Sequence, residues 1–178
     1  MDRRRPLKAA VLATAMFMGV VATTTEPVAG AESGTVCTFE DEVVASPGLT
    51  SSPSSGTITT SGETGKATCD GPIDGKKPTG PGTTGIDGRY GTKDGDTCQN
   101  GGEGDGVQSF TFPTSDGTVK LKNTITYEFG PFKAGTLLSG TFKGDRMSGT
   151  FEAQPIDGDC ASKPVTRYGV KAKGTIHG

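Results

Sequence analysis

The chain has 178 residues, with 18 Lys and Arg against 20 Asp and Glu and a formal net charge of −2. A chain of this length suits one domain, and because it has no excess of basic residues we expect no nucleic acid or anionic lipid as a partner. Only 31% of the residues are hydrophobic and 29 are glycine, which predicts a thin hydrophobic core.

Residues 1–31 have the pattern of a cleavable secretory signal peptide. Basic residues precede an uncharged run over residues 9–22, which is too short to span a bilayer, and Ala29 and Ala31 are the small residues that signal peptidase needs. We expect cleavage near Ala31, secretion, no membrane span in the mature chain, and a single β domain over residues 32–178. An exported chain folds under oxidising conditions, which bears on its cysteines.

The first strand is predicted over residues 36–44, although Val36, Phe39 and Val43 also fit a helical spacing. Cys37, Phe39, Asp41 and Val43 alternate along it.

The composition then changes twice along the chain. Residues 45–106 are rich in glycine and proline and hold few large aliphatic side chains, so we expect a loop-dominated part. The core strands are expected in residues 107–178. The large aliphatic residues of the loop-dominated part are Leu49, Ile58, Ile73 and Ile86.

Four cysteines follow the signal peptide, an even number that predicts two disulfides in an exported chain. Their spacing fits neither a redox pair nor a zinc site. Three pairings are possible. We favour Cys69–Cys98, which would staple the glycine-rich stretch, and Cys37–Cys160, which would tie the first strand to the approach of the last.

The clearest strand lies over residues 118–129, where Val119, Leu121, Ile125, Tyr127 and Phe129 share one parity and polar residues share the other. Residues 109–112 and the turn at 113–117 should form a hairpin with it. A second hairpin is predicted around residues 144–146, and a last strand over residues 163–176.

A weak internal repeat relates residues 55–75 to residues 139–158. Both stretches begin with Ser-Gly-Thr and end with Pro-Ile-Asp-Gly. They represent either a duplicated hairpin or a chance similarity in a biased sequence.

These elements predict an all-β fold, a single antiparallel up-and-down β-barrel of about eight strands, with a β-sandwich as the alternative. Two disulfides would staple it, and long glycine-rich loops would connect part of it. The barrel is preferred because closure removes the exposed edges of short strands.

Residues suited to catalysis are few, and the sequence favours a protein that is not an enzyme. The only histidine is His177, so a Ser-His-Asp or Cys-His relay has no base. Carboxylates remain possible acids or bases, namely Asp41, Glu128 and Glu152, but the strand parity places Glu128 and Glu152 outside. We expect no cofactor.

An acidic stretch near residue 100 invites a calcium interpretation. Asp94, Asp96 and Asp105 have the offsets of three calcium-loop ligands, but Cys98 and Gln99 stand where a ligand and a glycine belong. A solvated acidic loop is the preferred interpretation, and no metal is expected.

Seven aromatic side chains could line the lumen of such a barrel and bind a ligand, although plain core packing is the alternative. They are Phe110, Phe112, Tyr127, Phe129, Phe142, Phe151 and Tyr168.

Three functions are consistent with these features. The first is a secreted, non-catalytic barrel that binds a small apolar ligand or a cell-envelope component. The second is a cofactor-free cyclase or isomerase that uses the barrel cavity. The third is a structural or inhibitory protein that acts through its surface.

Overall fold

The computed structural model describes residues 34–60, 65–131 and 138–177. The proposed signal peptide, residues 1–31, lies outside them. The described chain is all-β, as predicted, and no helix in it has the length and apolar character needed to cross a membrane. Its nine strands are β1 (Thr35–Leu49), β2 (Gly56–Thr60), β3 (Gly65–Cys69), β4 (Gly82–Tyr90), β5 (Gly102–Thr114), β6 (Gly117–Phe129), β7 (Leu138–Gly144), β8 (Met147–Asp157) and β9 (Val165–Ile176).

The nine strands form one antiparallel sheet that closes into a ring. From β4 to β9 each strand pairs with the next along the chain. The ring closes because β9 also pairs with β1, from Thr35 opposite Ile176 to Leu49 opposite Val165. Closure leaves one face of the sheet turned inward, and the hydrophobic core lies there.

Strands β2 and β3 share one position in the ring. Both pair with β1, which uses residues 43–46 for β2 and residues 37–40 for β3, and both pair with β4 on their other side. They therefore run end to end and do not form a hairpin. The repeat noted in the sequence has no structural counterpart, because its second copy spans the β7–β8 hairpin.

The alternation in β6 is confirmed. Val119, Leu121, Ile125 and Tyr127 are buried, Phe129 at the strand end is partly buried, and the residues of the other parity are exposed. Asn123 shares the inward parity and is also buried, although it is polar. The predicted hairpin with β5 is present, with Thr114 opposite Gly117 at its turn, and so is the second hairpin around residues 144–146.

The predicted disulfide pairing is wrong, although the expectation of two disulfides is confirmed. The bonds are Cys37–Cys69, with Cα atoms 4.1 Å apart, and Cys98–Cys160, with Cα atoms 6.1 Å apart. Cys37 and Cys69 are directly opposite each other because β3 pairs with β1. Two disulfides are consistent with an extracellular protein.

Residues 45–106, predicted to be dominated by loops, supply β2, β3 and β4 to the ring. The large aliphatic side chains of this stretch also point into the core. Leu49 and Ile73 are buried, while Ile58 and Ile86 are partly buried and pack against the core cluster.

Candidate functional site

A cavity of about 130 Å³ lies inside the ring. Every strand except β3 contributes to its wall, and nearly all of the lining side chains are apolar or aromatic. The lining consists of Phe39, Asp41, Val43, Ala45, Leu49, Ile58, Ile86, Tyr90, Gln108, Ile125, Tyr127, Phe129, Leu138, Phe142, Phe151, Ala153, Tyr168, Val170 and Ala172.

Five of the seven aromatic residues predicted to line a lumen do line this cavity. They are Tyr127, Phe129, Phe142, Phe151 and Tyr168.

Phe110 and Phe112 do not line the cavity, contrary to expectation. Their rings stack on each other with centroids 6.1 Å apart, and both side chains are fully buried. Phe110 also packs on Phe39, at 5.0 Å between centroids, and Phe39 does line the cavity. Phe39 therefore separates the cavity from a packed part of the interior. Alternation alone could not distinguish the two, since all inward positions of a strand share one parity.

Glycines on neighbouring strands make room for the large rings of the wall. A Cβ at Gly104 would lie 2.2 Å from the Tyr127 hydroxyl oxygen, and one at Gly140 would lie 2.3 Å from the Phe151 ring. Real Cβ atoms essentially never come so close, so these rings occupy space that any other residue at Gly104 or Gly140 would need. The abundance of glycine in the strands is thus part of how the wall is built.

The hydroxyl groups of the three lining tyrosines are all bonded to backbone carbonyls. Tyr127 donates to the carbonyl oxygen of Arg89 at 2.7 Å, Tyr168 donates to that of Val165 at 3.3 Å, and Tyr90 donates to that of Pro47. Burial is the main reason that the pKa of each tyrosine is raised, so all three are neutral. They offer ring surface to the cavity and no charge.

Asp41 is the one carboxylic acid among the described lining residues. It occupies an inward position of β1 between Phe39 and Val43, opposite Val170 of β9. Thr60 donates a hydrogen bond from Oγ1 to Asp41 Oδ2 at 3.2 Å, and its Oγ1 also accepts the backbone N–H of Ile86 at 2.7 Å. This chain of bonds fixes the orientation of the carboxyl group.

The second oxygen of this carboxyl group is buried and unbonded. Asp41 Oδ1 has no hydrogen-bond partner in the described structure. On the adjacent β3, a Cβ at Gly65 would lie 2.6 Å from Asp41 Cγ, so the glycine leaves space for the carboxyl group.

Burial raises the pKa of Asp41 from its ordinary 3.8 to about 6. The hydrogen bond from Thr60 and the nearby backbone N–H dipole of Glu42 work against this rise, and the negative charge of the Glu42 side chain adds to it. The group can therefore exchange a proton near neutral pH, which is the range needed for acid–base chemistry or for a pH-dependent contact.

The sequence placed the other two candidate carboxylates correctly. Glu128 and Glu152 are exposed on the outer face of β6 and β8. The sequence indicates Asp41 as a possible inward carboxylate, although not as part of the binding site. The alternation Cys37, Phe39, Asp41, Val43 was the signal that pointed to it.

Two carboxylates of the acidic stretch near residue 100 are engaged in contacts within the protein. Asp96 is buried and accepts the backbone N–H groups of Gly91 at 2.8 Å and Glu103 at 3.1 Å, while Asp105 pairs with Arg89 at 2.7 Å. Among the described residues no three His, Cys, Asp or Glu side chains gather in a way that could hold a metal ion.

Comparisons with protein-family models, with curated proteins and with solved structures found no match to this chain. The cavity and its carboxyl group are therefore interpreted from their own chemistry.

Proposed function

We propose that this protein is a secreted β-barrel that binds a small apolar molecule in its interior. The observation that carries the proposal is the apolar cavity, walled by side chains from eight of the nine strands. Its wall is almost entirely apolar and gives water few hydrogen-bond partners, so a cavity of about 130 Å³ favours an apolar occupant.

The topology supports the barrel. Because β2 and β3 run end to end, the nine strands fill eight positions in the ring, and each position is antiparallel to the next. Eight strands give a closed barrel whose interior is filled by side chains or holds one small ligand. Here the part around Phe110 and Phe112 is filled and the part beyond Phe39 is not.

The size of the cavity limits the ligand. An engineered apolar cavity of about 150 Å³ binds benzene, so we expect an occupant of about one ring in size. This favours a small molecule over a large cell-envelope component. The signal-like residues 1–31 and the two disulfides support delivery of the protein to the outside of the cell.

Binding of toluene, followed by NMR chemical-shift changes, tests the proposal. Toluene should shift the signals of cavity residues such as Tyr127 and Phe151. Ala153→Leu places extra carbon atoms in the cavity and should abolish binding, whereas Gln154→Leu, the adjacent position on the outer face of β8, should not. Absence of toluene binding to the native protein would refute the proposal.

A cofactor-free cyclase or isomerase is the second candidate, and Asp41 is the observation that favours it. A carboxyl group with a pKa of about 6 in an apolar cavity can donate or accept a proton at neutral pH. Turnover of a small apolar epoxide or polyene that Asp41→Asn abolishes, with toluene binding retained, would support this activity. Turnover unchanged by that substitution would remove Asp41 from the mechanism.

A further inference from the structure

The cavity holds a negative charge that the described structure does not balance. Asp41 is the single group among the described lining residues that ionises near neutral pH, since the lining tyrosines stay neutral. The groups that face it on the adjacent strands are Thr60, Gly65 and Val170, and none of them titrates.

The charges nearest along the chain have their own partners on the outside of the ring. Glu42, the residue after Asp41, forms an ion pair with Arg167 of β9. Glu40, the residue before it, pairs with Lys171 at 3.6 Å, again on β9. No lysine or arginine of the described residues lines the cavity.

The hydrogen bonding of Asp41 is also incomplete. Thr60 satisfies Oδ2, but Oδ1 is buried without a donor in the described structure. Buried polar groups are normally hydrogen-bonded, and buried charges are normally paired. One group would correct both deficits, namely a cationic donor that enters the cavity with an apolar body.

We propose that the ligand is a ring-sized apolar molecule bearing a protonated amine, and that the ammonium group donates to Oδ1 of Asp41. This inference rests on the proposed ligand-binding function and specifies its ligand class. A neutral alcohol of the same size would supply the hydrogen bond without balancing the charge. An anion would be repelled.

Three probes of nearly equal size separate these contributions: benzylamine, benzyl alcohol and toluene. Each is titrated by NMR into the native protein and into Asp41→Asn at pH 7.5. In the native protein benzylamine should bind at least about tenfold more tightly than benzyl alcohol, because a hydrogen bond to a charged group is stronger than a neutral one. In Asp41→Asn this preference should disappear, and toluene should bind at least as well as before.

Lowering the pH provides an independent readout on the native protein. Protonation of Asp41 as the pH falls through about 6 should remove the preference for benzylamine, while toluene binding stays constant. The charged side chains that flank Asp41 on β1, Glu40 and Glu42, pair with Lys171 and Arg167 of β9 on the outer face. On β3, Lys66 next to Gly65 is also exposed. Glu40→Gln serves as the control, and it should keep the preference and its pH dependence.

The outcomes separate this inference from the proposed function. Equal affinity for benzylamine and benzyl alcohol, with toluene bound, would overturn the amine proposal and leave an apolar binding site. Benzylamine shifts confined to the outer face, or retained in Ala153→Leu, would overturn it as well, since binding would then be on the surface. Failure of toluene to bind the native protein would refute the proposed function itself, and the amine proposal with it.

Discussion

Replacing Asp41 by Asn should stabilise the protein at neutral pH. The folded state raises the pKa of this carboxyl from 3.8 to about 6, so it resists ionisation that the unfolded chain permits. A rise of about two units corresponds to roughly 3 kcal/mol, and partial exposure of the group to solvent reduces this to about 1–3 kcal/mol. The folded state holds more protons than the unfolded state between the two pKa values, so its stability falls as the pH rises across that window. Asn is neutral at every pH and escapes this loss.

Urea denaturation of the native protein and of Asp41→Asn, at a series of pH values and constant ionic strength, measures the effect. The difference in free energy of unfolding should be small below pH 3.8, should grow as the pH rises, and should level off above about 6. Glu128→Gln, an exposed carboxylate on β6, should show no such change. A variant that is less stable than the native protein at pH 7, or a difference that does not depend on pH, would refute the assignment of Asp41 as an uncompensated buried acid.

Three further predictions follow from the packing. Phe112→Ala, in the packed part of the interior, should cost about 3–5 kcal/mol in urea denaturation, whereas Phe151→Ala, a partly buried residue beside the cavity, should cost clearly less. Equal costs would mean that the cavity is filled. Gly140→Ala should destabilise by about 1–3 kcal/mol, because its Cβ would meet the Phe151 ring, and Gly130→Ala, whose Cβ would have no neighbour nearer than 3.7 Å, should be nearly neutral by thermal melting. Peptide mapping of the unreduced protein should recover the two cysteine pairs of the structure and no free thiol, and removing either pair should cost about 2–4 kcal/mol. Recovery of a peptide that links Cys69 to Cys98 would contradict the register of β3 against β1.

The strands with one wet face could be predicted from the sequence. In β6 every inward position from Val119 to Tyr127 is apolar or aromatic except Asn123, so the buried face follows from parity. The turn at residues 113–117 joins β6 to β5, and the turn at residues 144–146 joins β7 to β8. These are local signals, which a single sequence contains in full.

The pairing of the cysteines depended on long-range information. It required knowing that residues 65–69 lie beside β1 and do not return along residues 56–60 as a hairpin. That choice depends on β4, which pairs with both segments, and no local pattern reports it. The predicted Cys69–Cys98 bond assumes that residues 45–106 are mainly loop. The four large aliphatic residues of that stretch all contribute to the core.

The sequence also could not show which inward side chains line a cavity and which are packed. Phe110 and Phe142 both occupy inward positions of a strand, and the alternation treats them alike. The difference arises from what lies across the interior. Phe110 meets Phe39 and Phe112, while Phe142 lies over the glycine backbone at Gly149, where a Cβ would come within 2.7 Å of its ring. Contact with glycine does not by itself leave space, since a Cβ at Gly82 would lie 2.5 Å from the Phe112 ring. The ring contacts that join Phe39, Phe110 and Phe112 are what fill that part of the interior.

At position 41 the strand alternation favours an apolar residue, but the chain has an aspartate. An apolar residue there would continue the inward face of β1 and fill part of the cavity, with a gain in stability. The chain instead has a carboxyl group, and it holds that group in place with Thr60 and leaves room for it with Gly65. A partly buried carboxyl group whose ionisation burial opposes, and that neighbouring residues nevertheless orient, is the arrangement expected of a residue kept for binding or catalysis. The stability gained by Asp41→Asn and the ligand preference lost by it should therefore appear in the same variant.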